Sequence, residues 1–184
     1  MKNLFTLIIL IVLSSCASTT IPTKDTSEIL LQPSPFPSEE WVKYQEENVR
    51  MAMLTTKWKS KTSLDSIITF VLYRTPNVNL ENAMEPDIKR GKASCDVLFE
   101  VTPISQDLQN GYPQITWVNE CKTSKGIHTR TIHKKIAGNK SKYSISRVFS
   151  SNPSNNQLEL WLNYIDSITV CSSIDNKHSC PAKM

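Results

Sequence analysis

The sequence predicts an α+β fold in which two N-terminal helices pack on an antiparallel sheet of about four strands, with a helix or strand at the C-terminal end. Two patterns predict it: apolar residues recur at helical spacing before residue 75, and they alternate with polar residues from residue 94 onward. The four glycines (Gly91, Gly111, Gly126 and Gly138) all fall before or between the candidate strands. The length of 184 residues corresponds to about one domain.

The two predicted helices come first in the folded part of the chain. The first is predicted to begin after Ser38, a residue type that caps helices, and to run to about Met53. The second is predicted over residues 62–74 and ends at Thr75-Pro76. Its apolar stripe consists of Leu64, Ile67, Ile68, Val71 and Leu72. Residues 77–92 are polar, and we expect them to be irregular.

Strand patterns fill most of the rest of the chain. Four strands are predicted, over 94–102, 114–122, 127–136 and 141–149. The last element, 158–168, fits the spacing of a helix and also that of a strand. We favour a helix that passes into a short strand near Val170.

The N-terminus has the features of a secretion signal. Lys2 is followed by Leu4–Leu13, which is apolar apart from Thr6 and rises about 15 Å as a helix, too little to span a bilayer. The run ends in Leu13-Ser14-Ser15-Cys16, which resembles the lipobox of bacterial lipoproteins. The resemblance implies cleavage before Cys16 and a diacylglycerol on its thiol. Because residue 17 is Ala rather than Asp, it also implies the outer membrane. The alternative is an ordinary secretory signal with a chance cysteine.

The resemblance divides the chain into three parts. Residues 1–15 are the signal peptide, 16–37 are the lipidated cysteine and an extended tether, and 38–184 are a single globular domain. Prolines at 33, 35 and 37 favour extended backbone in the tether. The apolar Ile29-Leu30-Leu31 is an exception, and we expect it to dock on the domain or on a partner.

Four cysteines remain after Cys16, and an even number in an exported chain predicts two disulfides. If strands 94–102 and 114–122 pair with Val101 opposite Ile115, then Cys95 lies opposite Cys121. This register predicts the disulfides Cys95–Cys121 and Cys171–Cys180. The alternative is a metal held by Cys171, His178 and Cys180, but their spacing matches no standard zinc pattern, and no metal site is predicted.

Catalytic motifs are absent from the sequence. It contains no G-x-S-x-G, H-E-x-x-H, Walker or Cys-x-x-Cys pattern. Nothing in the spacing selects a partner for His128, His133 or His178, and the carboxylates Glu81, Glu85 and Asp87 lie in a polar segment that favours solvation. We therefore predict a protein without catalytic residues or cofactor. A hydrolase whose site assembles only in space stays an alternative.

The stretch between Cys121 and Asn156 contains no Asp or Glu and eight Lys or Arg residues. Gly138-Asn139 is predicted to form a two-residue hairpin turn. That turn would place Arg130 opposite Arg147, Lys134 opposite Tyr143, and His128 opposite Phe149.

Like charges directly opposite each other destabilise a sheet, so the hairpin predicts a site for an anion. Its binding residues would be Arg130, Arg147, Lys134 and His128. Two alternatives stay open: internal neutralisation by Glu100, Glu120 or Asp166, and a basic face that is simply solvated.

The pattern as a whole predicts a lipid-anchored, non-enzymatic envelope protein at the outer membrane, facing the periplasm. Its basic hairpin would bind an acidic protein or an anionic envelope component. Immunity and exclusion lipoproteins belong to this class. Nucleic acid is not an expected partner, because the formal charge is only +4 and the compartment is wrong. A structural subunit of an envelope or secretion assembly is the alternative.

Overall fold

A computed structural model describes residues 27–34, 36–50 and 52–180. Cys16, the leader and the first part of the predicted tether lie outside these residues. The strands are β1 (Glu28–Leu31), β2 (Trp41–Val49), β3 (Met53–Ser60), β4 (Ser66–Tyr73), β5 (Leu98–Gln109), β6 (Tyr112–Lys122), β7 (His128–Ala137), β8 (Ser141–Phe149) and β9 (Thr169–Ser172). The α-helices are α1 (Glu85–Ser94) and α2 (Asn155–Ser167), and a 3-10 turn spans Asn176–His178.

Seven of the strands in the described part form one antiparallel sheet, in the order β2-β3-β4-β8-β7-β6-β5. The other two, β1 and β9, form a separate antiparallel pair. Trp161 and Ile165 of α2 pack on one face of the large sheet, against Ile132, Ile145 and Phe149. We call this the inner face.

The opposite, outer face is covered in part by α1 and the segment before it. Leu80 and Ala83 pack there against Ile115 and Trp117. Gly91 lets α1 approach the sheet closely, because a Cβ at this position would overlap the ring of Phe99.

The predicted fold class is wrong: the protein is mostly β, and neither predicted N-terminal helix exists. The first is β2, in which a bulge between Lys43 and Gln45 interrupts the two-residue alternation. The second is β4, whose sequence SIITFVLY is apolar on both faces of the sheet, so that its residues also fit a helical spacing. Its β-branched and aromatic residues favour the strand.

Other predicted elements are present. The four predicted strands correspond to β5 through β8, and the helix passing into a strand near Val170 corresponds to α2 and β9. The helix α1 lies in the segment predicted to be irregular. This helix has few apolar residues, so it shows no clear apolar stripe. The local residues that favour it are a proline in the first turn, acidic residues at 85 and 87, and Lys92 in the last turn.

Both predicted disulfides are confirmed. The Cα atoms are 5.4 Å apart in Cys95–Cys121 and 4.8 Å apart in Cys171–Cys180. The predicted strand register is wrong, since Phe99 rather than Cys95 lies opposite Cys121. Cys95 instead follows α1 directly, so the first disulfide fastens the end of that helix to β6.

The apolar Ile29-Leu30-Leu31 segment docks on the domain itself. All three residues belong to β1, which pairs with β9, and Leu30 packs against the core on the inner face. The fold therefore begins upstream of residue 38, and part of the predicted tether belongs to it.

The strands give the sheet two ends with different neighbours. At one end lie the β2–β3 turn, the end of β4, the β5–β6 turn and the β7–β8 turn. The described chain also enters there, because the Glu28 carboxylate accepts hydrogen bonds from the backbone N–H groups of Asn139 and Lys140 in the β7–β8 turn. We call this the proximal end and the opposite one the distal end.

Candidate functional site

Arg147 lies inside the protein, although the sequence predicts it to bind a partner. Its side chain is fully buried on the inner face, and its Nη2 donates to Asp65 at 2.7 Å and to Glu39 at 3.2 Å. The guanidinium also stacks on Phe149 and Trp161, with its carbon 4.1 and 4.6 Å from the ring centroids. No partner surface can reach this charge.

Hydrogen bonds from Ser150 hold the Asp65 carboxylate that pairs with Arg147. Its second carboxylate oxygen accepts from the backbone N–H and the hydroxyl of Ser150, at 2.7 and 2.6 Å. Burial pushes the pKa of Asp65 upward, but the hydrogen bonds from Ser150 and Arg147 outweigh it and leave the pKa below its ordinary value. The pair is therefore ionised at neutral pH.

The predicted opposition of two arginines does not occur. Arg147 lies opposite Ile132, and Arg130 lies opposite Phe149, because the hairpin register is shifted by two residues. The predicted turn residues are also wrong: Gly138 N–H bonds to the Ser141 carbonyl, so Asn139 and Lys140 form the tip, and Ala137 lies opposite Lys142 instead of Lys140. A shift of two residues keeps every side chain on its predicted face but changes its neighbour.

Lys134 is likewise fully buried. Its ammonium donates to the backbone carbonyls of Ile165, Asp166 and Ile168, at 2.7 to 3.1 Å, and to Gln109 at 3.0 Å. Carbonyls at a helix C-terminus lack partners within the helix and carry partial negative charge, so the lysine caps α2. The charge has a structural role here.

Arg130 and His128 keep part of their side chains at the surface, where they surround Glu120. Arg130 donates to one Glu120 oxygen through Nε and Nη2, at 3.0 and 2.8 Å. His128 Nε2 lies 2.8 Å from the other oxygen, and Lys122 Nζ lies 3.2 Å from it. Burial raises the pKa of Glu120, but these hydrogen bonds outweigh it and lower the pKa to about 2. Glu120 is one of the three carboxylates that the sequence offers as internal counter-charges.

The same end of the sheet also exposes apolar side chains. Val97 is 61% exposed and Ile127 is 52% exposed. Val97 N–H bonds to the Lys122 carbonyl, and Ile127 closes the β6–β7 turn that carries the exposed Lys125. Val97, Lys125, Ile127, His128 and Arg130 form what we call the distal patch.

A small cleft lies beside this patch, between β5 and α2. It has a volume of about 160 Å³. Glu100 and Arg130 are polar groups at its wall, and Ile104, Leu158 and Leu162 supply apolar surface. Glu100 lies directly opposite Glu120 in the β5–β6 pair. Since Glu120 is held by Arg130 and Lys122, with His128 beside it, the like-charge pair is compensated.

Sequence reasoning missed a polar network on the outer face, centred on His133. The ring stacks on Trp117, with centroids 4.9 Å apart, and its Nδ1 lies 3.0 Å from Ser146 Oγ. Asn119 Nδ2 lies 3.2 Å from Nε2. Burial lowers the pKa of His133 to about 4, so the ring is neutral at pH 7. The cross-strand pairing of His133 with Ser146 was not visible without the true register.

This network lies between paired strands in the middle of the sheet. The donor and acceptor roles of its two ring nitrogens depend on the tautomer, because the Asn119 amide and the Ser146 hydroxyl can each donate or accept. The neighbouring backbone N–H groups belong to strands paired on both sides, which leaves no donor pair for an oxyanion. The geometry favours a structural role.

The described residues contain no cluster of three or more His, Cys, Asp or Glu side chains arranged to hold a metal ion. None of their helices has the length and apolarity needed to cross a bilayer. The sequence matches no protein-family model, and no curated protein matches it.

Proposed function

We propose that this protein is a lipid-anchored, non-enzymatic binding domain of the bacterial envelope. Cys16 would hold it at the outer membrane, facing the periplasm, and the distal patch would bind a protein partner. The lipobox residues Leu13 to Cys16 support the anchor. The two disulfide pairs support an oxidising compartment.

One observation carries this proposal: the chain enters the domain at the proximal end, while the distal patch lies at the other end of the sheet. An anchor upstream of Ser27 therefore leaves the distal patch directed away from its attachment point. Strand β8 has nine residues, which corresponds to about 30 Å between the two ends.

The chemistry of the distal patch suits an acidic protein with some apolar surface. Lys125 is exposed, and no ion pair within the described ranges involves it. Two nearby carboxylates already have partners: Glu120 pairs with Arg130, Lys122 and His128, and Asp96 accepts from Ser124. Exposed Val97 and Ile127 supply apolar surface at the same end of the sheet. Immunity and exclusion lipoproteins, which block an incoming protein, would use such a surface.

Photo-crosslinking in cells tests this proposal. A photoreactive amino acid at Ile127 is expected to yield one discrete crosslinked protein. The same group at Leu160, an exposed apolar residue of α2, is the matched control and should yield none. Lys125→Glu should abolish the Ile127 product without changing the thermal unfolding temperature. Equal products from both positions, or none from Ile127, would contradict the proposal.

The anchor is tested separately. Cys16→Ala should release the protein from the membrane fraction, and mass spectrometry of the wild-type protein should find the lipid on Cys16. Retention of the variant in the membrane would remove the anchor from the proposal.

A structural subunit was the alternative, on the expectation that the Ile29–Leu31 segment would order on assembly. That segment pairs with β9 and contributes Leu30 to the core, so it is used within the domain. The observation that favoured the alternative is therefore lost. The hydrolase alternative gains little from His133, because the backbone N–H groups around it in the described sheet are engaged in strand pairing and offer no donor pair for an oxyanion.

A further inference from the structure

The proximal end carries a second group of basic residues, separate from the distal patch. Arg50 lies in the β2–β3 turn, Arg74 follows β4, Lys140 lies in the β7–β8 turn and Lys142 is near the start of β8. Arg50, Arg74 and Lys140 are exposed, and Lys142 is half-buried. We call these four residues the proximal basic patch.

Backbone contacts bring the turns of this patch together. Tyr73 N–H bonds to the Ala52 carbonyl at 2.8 Å, which joins the end of β4 to the β2–β3 turn. Thr75 N–H bonds to the Lys140 carbonyl at 2.9 Å, which joins it to the β7–β8 turn. Leu72, next to Tyr73, lies opposite Lys142 in the sheet. The four cations therefore share one continuous surface.

Carboxylates of the described ranges do not pair with three of these four cations, Arg50, Arg74 and Lys142. Glu28 contacts the β7–β8 turn, and its two oxygens accept from the backbone N–H groups of Asn139 and Lys140. Arg50 and Arg74 thus present positive charge to solvent, with the half-buried Lys142 beside them.

The backbone conformation at Arg50 and Arg74 is energetically unfavourable for a residue with a side chain. Arg50 has φ 46° and Arg74 has φ 57°, both in the left-handed region, where Gly or Asn is favoured. Local folding therefore gives no reason for arginine at either turn. A role for the charged side chain at the surface accounts for both residues.

The anchor brings this surface close to the membrane. The eleven residues that follow Cys16, up to Ser27, span at most about 36 Å. Ser27 adjoins Glu28, which contacts the β7–β8 turn of the patch. The end of the domain nearest the lipid is therefore the end that carries the four cations. Val49, 39% exposed, adds an apolar side chain beside Arg50.

We infer that the proximal basic patch is a membrane-docking surface that binds anionic lipid headgroups beside the lipid on Cys16. The inference rests on the proposed function, because the anchor is what directs this end of the sheet toward the bilayer. Basic residues close to an anionic surface strengthen binding by about fivefold each, and salt screens the attraction. Docking would fix the orientation of the domain and keep the distal patch directed outward.

Vesicle binding by the Cys16→Ser chain, which carries no lipid, tests this inference. The protein is expected to co-sediment with vesicles of phosphatidylglycerol and phosphatidylcholine but not with phosphatidylcholine alone. Binding should disappear as salt rises from 50 to 300 mM, values chosen to shorten the screening length severalfold. Equal binding to vesicles with and without phosphatidylglycerol would overturn the inference.

The decisive variant is Arg50→Gly with Arg74→Gly. Because glycine suits the left-handed backbone at both turns, the protein should unfold at the same temperature as the parent or higher. Its affinity for the anionic vesicles should fall about thirty-fold, which is two charges at about fivefold each. The control, Lys59→Gln with Lys92→Gln, removes two exposed charges that belong to neither patch and should bind as the parent does. Equal losses in the two double variants would show non-specific attraction and overturn the inference.

The vesicle-binding result can fail or succeed independently of the proposed anchor. Mass spectrometry of wild-type Cys16 reports the anchor independently of vesicle binding. An unmodified Cys16 in a protein that still binds anionic vesicles would overturn the anchor and leave the patch standing. A lipidated Cys16 with no dependence on anionic lipid would overturn the patch alone.

Discussion

At the scale of single residues, the dominant feature is a cation enclosed by the core. Arg147 has no exposed surface, and it satisfies its charge with Asp65 and Glu39 while its flat guanidinium packs on aromatic rings. Removing charges from water costs several kcal/mol per ion, and this cost is recovered only when geometry and hydrogen bonding are both good. The pair therefore stabilises one specific arrangement more than it adds net stability.

Arg147→Met is expected to lower the free energy of unfolding by about 3–5 kcal/mol, because it leaves the Asp65 carboxylate buried without its cation. Arg130→Met is the matched control at a partly exposed site and should cost about 1 kcal/mol, since Glu120 keeps His128 and Lys122. Urea denaturation at pH 7 measures both. The double variant Arg147→Met with Asp65→Leu should recover part of the loss. Equal costs for the two single variants would contradict this account.

His133 makes stability depend on pH. Burial holds its pKa at about 4 in the folded protein, against about 6.5 in an unfolded chain. The unfolded state therefore takes up the proton first, and stability falls as pH drops from about 6.5 toward 4.

Between pH 7 and pH 5 the protein should lose about 2 kcal/mol of unfolding free energy on account of His133. Chemical denaturation at the two pH values measures the loss. His133→Gln, which cannot take up a proton, should remove most of the difference. A variant with the same pH dependence as the parent would assign the effect to another group.

The predicted binding residues show how far sequence reasoning reaches at this scale. Strand alternation correctly placed Arg147 on the same face as Ile145 and Phe149. An apolar face of a sheet is normally the face that packs against the core, so the same pattern also implied burial of the arginine. Its counter-charge, Asp65, is distant in the sequence and belongs to a turn before a strand that was predicted as a helix. Without that strand the pairing could not be foreseen.

At the scale of elements, strands were predictable where alternation was unbroken and ambiguous elsewhere. The sequences of β7 and β8 alternate cleanly, and both were predicted. The bulge in β2 and the apolar residues on both faces of β4 hide the two-residue period in those strands. Helix α2 has a serine cap, Ser154, and an apolar stripe, and it was favoured correctly.

Both edges of the large sheet carry features that discourage pairing with another chain. Edge strand β2 has a bulge and the charged residues Lys43, Glu46 and Glu47. Edge strand β5 has a bulge next to Pro103. Lipid anchoring would raise the local concentration of the protein on a membrane, where exposed strand edges would otherwise associate.

The strand β1 joins the chain that enters at the proximal end to the core. Leu30→Ala should lower the free energy of unfolding by about 2 kcal/mol, because its side chain contacts two parts of the core. Ile29→Ala, at a neighbouring position that is 41% exposed, is the control and should cost about 0.5 kcal/mol. Thermal or urea denaturation measures both. If the two variants are equally stable, β1 is only loosely docked, and the reach of the anchor is longer than proposed.

At the scale of the whole molecule, the two ends of the sheet have opposite tasks under the proposals. The proximal end receives the anchored chain and carries the proximal basic patch. The distal end carries basic and apolar side chains beside internally compensated carboxylates. The short segment between Cys16 and Ser27, together with contact between the proximal basic patch and anionic lipid, would fix the orientation of the domain on the membrane.

Amine-reactive labelling of the lipidated protein on anionic vesicles tests this orientation. Compared with the soluble Cys16→Ser chain, Lys142 at the proximal end should react severalfold more slowly, because the bilayer would cover it. Lys59 and Lys125, near the distal end, should react at the same rate in both states and serve as internal controls. Mass spectrometry of peptides reports each site in one experiment. Uniform protection of all three lysines would mean that the domain has no fixed orientation. Protection of Lys125 alone would place the distal patch, rather than the proximal basic patch, against the membrane.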